Sequence, residues 1–187
     1  LHLTLADTYA LPARRMLAAG EGLPVEKIPE CLAAITQANA LLANLNLDAP
    51  AGADEEARKA AAASALDVQE YIALNEVQLG LANKVLEERM MAQALQAEKD
   101  NLPDRIKECL ARSMQAAKEG PAATKAGVDR LVKVIEQDGH RSRVAVMLIE
   151  VGQQRADNEL LEKVRKALSA VEDPPASPVM MLIIHDL

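Results

Sequence analysis

The chain has 187 residues, a formal net charge of −7 and 50% hydrophobic residues, yet it contains no Phe, no Trp and only two Tyr. The acidic balance argues against binding to nucleic acid or to anionic membranes, and no apolar run reaches the roughly 20 residues that span a bilayer. No signal peptide is recognised, so we expect a cytoplasmic or recombinant soluble protein. Cys31 and Cys109 are the only cysteines, and their apolar surroundings favour free buried thiols.

The first 50 residues contain one short alternating segment and two helical segments. Leu1, Leu3 and Leu5 alternate with His2 and Thr4. This period of two predicts a strand over residues 1–6. A helix is expected over 10–19, with Pro12 in its first turn, where a missing N–H costs little. A second helix is expected over 29–46.

One long helical pattern dominates the middle of the chain. Asp54 is predicted to cap it, and two glutamates follow at the positive end of the helix dipole. The pattern continues to about Lys99, although a break is left open where Ser64 and Asp67 can form a capping box. Two apolar stripes predict packing on two sides, as in the central helix of a bundle. The stripes are Val68, Ile72, Leu79, Ala82 and Leu86, and Leu74, Val77, Leu81 and Val85.

Two helices are expected between residues 102 and 139. Pro103 opens the first, and Gly120 followed by Pro121 is expected to end it. The second covers about 122–138, and Gly139 is expected to stop it in the left-handed conformation.

The last third of the chain combines two helical segments with an apolar tail. The run 144–151 is compatible with a buried strand or a buried helix, and we favour a helix. Residues 158–172 are predicted to be helical. The unbroken apolar run 179–184 predicts a strand covered on both faces, and its simplest partner is the strand at 1–6.

These elements predict a mostly α protein, a multi-helix bundle of about six to seven helices with a small sheet formed by the terminal strands. Residues 1–187 are expected to form a single compact unit. A subdivision into an N-terminal segment, 1–47, and a helical bundle, 54–173, is left open, with 178–187 returning to the N-terminal strand.

Several stretches resemble glutathione transferases. Strand 1–6 and residues 12–26, with the runs Arg-Arg-Met-Leu-Ala-Ala and Gly-Leu-Pro-Val-Glu, are similar to the first strand, the first helix and the entry to the second strand of that family. Ser-Arg-Val-Ala-Val at 142–146 resembles the cap of its buried helix, and 160–175 resembles the helix that follows. The resemblance implies that the Ala-rich helices between them correspond to the all-helical second domain of the family.

The resemblance also implies glutathione as the ligand. It makes Tyr9 the candidate catalytic phenol and Arg14 or Arg15 the candidate residues for holding an anion. The sequence departs from the family where its catalytic Tyr and Ser would fall, because Thr4 and Leu11 stand there. A diverged glutathione transferase-like protein, either an enzyme or an inactive relative, is therefore the alternative function.

Outside the resemblance, no catalytic motif and no metal-ligand spacing is recognised. His2 and His185 would approach each other if the terminal strands pair, but surface imidazoles are expected and no metal is predicted. Asn75 lies between the apolar stripes, and we expect it to be exposed at a helix edge; the alternatives are a buried Asn that fixes helix register and a polar cavity. Met90 and Met91 are expected to fill the core, with a partner groove as the alternative.

The sequence supports no specific biochemical activity and favours a non-enzymatic helical scaffold or protein-interaction domain. An engineered origin is one interpretation, since complete loss of Phe and Trp is unusual in a domain of this length. We expect no cofactor, a protein partner or self-association, and no contact with nucleic acid or membrane. Glutathione enters only under the alternative function. A weaker hypothesis is an apolar ligand bound between helices.

Overall fold

The computed structural model describes residues 2–18 and 23–186, apart from the side chains of residues 2 and 183–186. Within these ranges the protein consists of seven α-helices and one 3-10 turn, without a strand, so the predicted helical bundle is confirmed. The helices are α1 (His2–Ala18), α2 (Ile28–Ala43), α3 (Glu55–Lys99), α4 (Pro103–Gln137), α5 (Ser142–Arg155), α6 (Asn158–Ser169) and α7 (Ala176–Asp186); the 3-10 turn is Val25–Lys27.

The predicted N-terminal strand is wrong, because residues 2–18 form α1. Ala6, Ala10 and Ala13 are all at most 1% exposed, and their spacing of four and three is helical. This buried line extends over two turns, whereas the leucine alternation covers only five positions. Pro12 consequently lies inside the helix rather than in its first turn.

The predicted C-terminal strand is also wrong, because residues 176–186 form α7. Pro178 and Leu182 are buried and lie four residues apart, so one face of this apolar run is turned towards the core. The small terminal sheet is therefore absent from the described chain. Instead of meeting the N-terminal segment in a sheet, α7 packs against α5 and α6.

A long hairpin of α3 and α4 forms the centre of the molecule. Asp54 caps α3 as predicted, since its Oδ1 accepts a hydrogen bond of 2.8 Å from the backbone N–H of Ala57, and α3 continues without a break through residues 64–67. The prediction that Gly120 and Pro121 end a helix is wrong, because α4 continues through both. An interior proline costs about 3 kcal/mol, and we attribute its tolerance to packing against α3 before and after it.

Glycines allow α3 and α4 to approach closely. A Cβ atom at Gly127 would lie 2.7 Å from the carbonyl oxygen of Ala73, and one at Gly80 would lie 1.9 Å from Thr124 Oγ1. No side chain fits at either position unless the helices separate. Gly120, which the sequence predicted at a helix end, lies in the same close contact, since a Cβ there would lie 3.2 Å from Asn83 Cβ and from the carbonyl oxygen of Gly80.

Two clusters of buried side chains flank α3, one with α1 and α2 and the other with α5, α6 and α7. Ile72 belongs to the first cluster, and Leu74 and Val77 belong to the second, which confirms two-sided packing for this part of α3. Leu81 and Val85 continue the second stripe but are 58% and 39% exposed, since the second cluster does not extend to them.

The run 144–151 lies in α5, so the helix favoured over a strand is confirmed. Gly139 is not left-handed, contrary to the prediction; a Cβ there would lie 2.7 Å from the carbonyl oxygen of Ala167, so close approach to the end of α6 requires the glycine. None of the described helices has the length and apolar character of a membrane span.

Candidate functional site

A polar cluster joins α1 to α3. Asp7 and Arg14 lie seven residues apart, two turns along the same face of α1, and Tyr71 of α3 lies between them. The Tyr71 hydroxyl donates a hydrogen bond of 2.5 Å to Asp7 Oδ1. Nη2 of Arg14 donates to the Tyr71 oxygen at 2.7 Å and also to Asp7 Oδ1, and the guanidinium carbon lies 4.7 Å from the centroid of the tyrosine ring. Hydrogen bonds and a cation–π contact thus fix α1 on α3.

The environment of this cluster keeps its phenol protonated and pairs its charges. Burial, followed by the hydrogen bond that its hydroxyl donates to Asp7, raises the pKa of Tyr71 above its ordinary value, so the phenol stays neutral. The charge of Arg14, whose side chain is 16% exposed, is compensated by Asp7. Burial also raises the pKa of the Cys31 thiol, and both Cys31 and Cys109 are free and buried.

A half-open cavity of about 220 Å³ lies beside this cluster, and we call it the α1–α3 cavity. Its polar lining residues are Arg14 and Gln78. Nε of Arg14 and Oε1 of Gln78 are buried and have no hydrogen-bond partner. The rest of the lining is apolar and consists of Leu17, Ala18, Leu23, Ile28, Leu81, Ala82 and Val85.

Asn75 lies one helical turn beyond Tyr71 and is fully buried, so the expected exposure at a helix edge is wrong. Its Nδ2 donates a hydrogen bond of 2.7 Å to Asn39 Oδ1 of α2, while its own Oδ1 has no partner. This amide–amide hydrogen bond ties α2 to α3. This arrangement corresponds to the register-fixing alternative considered for Asn75.

A second feature lies at the closed end of the hairpin. Met91 and Leu95 of α3 are 44% and 55% exposed, and Leu110 and Met114 of α4 are 38% and 74% exposed. We call these four residues the tip face. Ser113 Oγ donates to the carbonyl oxygen of Glu87 at 3.3 Å, a contact that sets Met91 level with about residue 110 along the hairpin.

The four residues of the tip face lie on one side of the hairpin. Each directly follows a buried residue: Met90, Ala94, Cys109 and Ser113. Successive residues lie about 100° apart around a helix axis. The buried residues lie along the contact between α3 and α4. Because the two helices are antiparallel, the residue after each of them lies on the same side of the pair in both helices. Met90 fills the core as expected, but Met91 does not.

Of the site residues predicted from the sequence, only Arg14 lies at this site. Arg14 lies in the polar cluster and lines the cavity, whereas Arg15 is exposed and Tyr9 is 39% exposed. Tyr71, not Tyr9, is the phenol beside Arg14. The proposed approach of the two terminal histidines concerns side chains outside the described residues.

Three residues of the site were not predicted from the sequence: Asp7, Tyr71 and Gln78. Tyr71, Asn75 and Gln78 follow one another at a spacing of four and three, which places a polar line on the packed side of α3. That signal was present in the sequence. Among the described residues, no group of three His, Cys, Asp or Glu side chains is arranged to hold a metal ion.

Comparisons with protein-family models, with curated proteins and with solved structures find no match to this chain. The resemblance to glutathione transferases is tested by none of them and stays a prediction.

Proposed function

We propose that the chain is a non-catalytic protein-interaction module that associates with a second copy of itself through the tip face. The observation that carries the proposal is the set of four long apolar side chains, 38% to 74% exposed, on one side of the hairpin. Contiguous exposed apolar surface of this kind marks contact sites in soluble proteins. Met91 and Met114 also adapt readily to an opposing surface, because their side chains are unbranched and flexible.

A second copy suits this surface for a geometric reason. Two parallel ridges of apolar side chains can face the same two ridges of another copy across a twofold axis, which gives a four-helix arrangement. Exposed Glu88 and Glu98 flank the face on α3, and exposed Lys107 and Lys118 flank it on α4. A twofold axis parallel to the helices sets α3 of one copy against α4 of the other, so Glu88 and Glu98 approach Lys118 and Lys107. Lys84 and Lys99, also exposed on α3, are the exceptions.

The size of the face sets the expected strength of association. Thirteen residues of helix, from Glu87 to Lys99, extend over about 20 Å, and two helices side by side are about 20 Å wide. The contact would therefore bury roughly 400 Å² on each copy, or about 800 Å² in total. Stable specific interfaces bury about 1,200–2,000 Å², so we expect weak, reversible dimerisation that depends on concentration.

Sedimentation velocity over micromolar to millimolar concentrations tests the proposal. The sedimentation coefficient of the wild type should rise with concentration, whereas Leu95→Glu and Met114→Glu should remain monomeric at every concentration. Met180→Glu is the matched control, since Met180 is 56% exposed on α7, away from the tip face. A wild type that stays monomeric throughout, or a Met180→Glu variant that loses association like the others, would contradict the proposal.

A further inference from the structure

Two of the four residues of the tip face are methionines, one on each helix of the hairpin. The side chains of Met91 and Met114 are 44% and 74% exposed, and Met114 is the most exposed large hydrophobic residue of the described chain. The neighbouring Met90 is 3% exposed. The sulfur atoms of the tip face are therefore open to reagents in solvent, whereas that of Met90 is shielded by the core.

The thioether of methionine undergoes a reaction that leucine does not. Hydrogen peroxide transfers one oxygen atom to the sulfur: a sulfur lone pair forms the S–O bond, the O–O bond breaks, and the peroxide leaves as water. The sulfur is oxidised by two electrons and the peroxide is reduced by two. The product, methionine sulfoxide, is polar, and methionine sulfoxide reductases convert it back to methionine.

Association through the tip face would enclose both sulfur atoms. Met91 lies level with about residue 110 along the hairpin, so across a twofold axis parallel to the helices it faces Leu110 of the second copy. Met114 lies one turn beyond Leu110 on the same side of α4. A sulfoxide at either position would set a polar oxygen against apolar side chains, and burial of such an oxygen without a hydrogen-bond donor is unfavourable.

We propose that Met91 and Met114 are modification sites at which peroxide reverses self-association of the chain. Oxidation of both side chains makes the tip face polar and separates the copies, and enzymatic reduction of the sulfoxides restores the contact. Since the association is weak, free monomers are present at micromolar concentration and expose both sulfur atoms to the reagent. This inference rests on the proposed function, because it assigns a regulation to the same face.

Sedimentation velocity before and after treatment with hydrogen peroxide tests the inference, and peptide mass spectrometry locates the added oxygen atoms. Oxidation of wild type at Met91 and Met114 should raise the dissociation constant at least about tenfold. The two stereospecific sulfoxide reductases, with dithiothreitol as the electron donor, should restore the original value. An unchanged dissociation constant with both sulfur atoms oxidised would overturn the inference.

Two double variants separate the tip face from other methionines. Met91→Leu/Met114→Leu keeps the face apolar but removes both sulfur atoms, so it should associate like wild type and keep its dissociation constant after peroxide treatment. Met16→Leu/Met180→Leu is the matched control, because it removes two sulfur atoms that are 41% and 56% exposed on α1 and α7. This control should remain as sensitive to peroxide as wild type. A tip-face variant that still dissociates after treatment would overturn the assignment.

The same experiment distinguishes this inference from the proposed function. Untreated wild type that stays monomeric at every concentration would contradict both. Untreated wild type that dimerises, and remains equally dimeric with sulfoxides at Met91 and Met114, would contradict only the role of oxidation. Circular dichroism of the oxidised protein should be unchanged, since Met90 is shielded; a loss of helical signal would attribute the dissociation to unfolding and would overturn the inference.

Discussion

Gly127→Ala tests whether α3 and α4 are held at the close distance that the structure shows. The new methyl group would lie 2.7 Å from the carbonyl oxygen of Ala73, and 2.8 Å from both the backbone nitrogen and Cγ2 of Val77. Non-bonded carbon atoms pack at about 3.5–4.0 Å, so the helices must separate by about 0.7 Å. Two of the three neighbouring atoms belong to the backbone, and rotation of a side chain cannot relieve those contacts.

The expected effect is the sum of two opposing terms. Overpacking costs about 1–3 kcal/mol, whereas replacing glycine by alanine inside a helix gains about 1 kcal/mol. We therefore expect Gly127→Ala to lower the free energy of unfolding by about 1 kcal/mol, and Gly127→Val to lower it further. Urea unfolding followed by circular dichroism measures both.

A control variant calibrates the helix term. Ala122→Gly changes an exposed position of α4, and it should lower stability by about 1 kcal/mol through backbone propensity alone. If Gly127→Ala instead raises stability by about the same amount, the two helices are not in close contact at Gly127, and the packing described for the hairpin is wrong.

Three further predictions concern other parts of the structure. Arg141→Met removes hydrogen bonds of 2.6 and 2.8 Å to two carboxylates of α3. It should lower the free energy of unfolding, measured in urea, by about 2 kcal/mol. Its control, Arg112→Met, breaks an exposed ion pair within α4 and should lower that free energy by less than about 0.5 kcal/mol. Pro121→Ala restores a backbone N–H inside α4 and should raise the thermal midpoint, with a gain of up to about 3 kcal/mol. The folded-state pKa of Tyr71 is raised, so above pH about 10 the unfolded phenol loses its proton while the folded one keeps it. Wild-type stability should therefore fall as pH rises there, and the fall should be shallower in Tyr71→Phe.

The central helices could be predicted from the sequence where a long periodic apolar pattern follows a clear N-cap residue. Asp54 and the stripes that follow it specify α3. The run 144–151 is helical, as favoured, although its pattern was equally compatible with a buried strand. The ends of the chain failed for the opposite reason. Five alternating positions at the start, and an apolar tail without clear periodicity, gave too little information to outweigh the packing of α1 and α7 on other helices.

Glycine and proline were interpreted locally, although their roles here are tertiary. Gly120 and Pro121 looked like a helix end, and Gly139 looked like a left-handed stop, yet packing against another helix decides the conformation at these positions. The polar cluster was missed because Asp7 and Arg14 share a face only if the first residues are helical. One wrong assignment at the start of the chain therefore hid most of the candidate site.

Paramagnetic relaxation in a mixed sample tests most directly whether two copies meet through the tip face. A spin label at Lys118→Cys, which lies one turn beyond Met114 and leaves the apolar side chains intact, is mixed with unlabelled, nitrogen-15-enriched wild type. Labelling is selective because Cys31 and Cys109 are buried. We predict that the label broadens the amide signals of the enriched copy around residues 91–95 and 110–114. No intermolecular broadening, or broadening confined to α5, α6 and α7, would contradict the account.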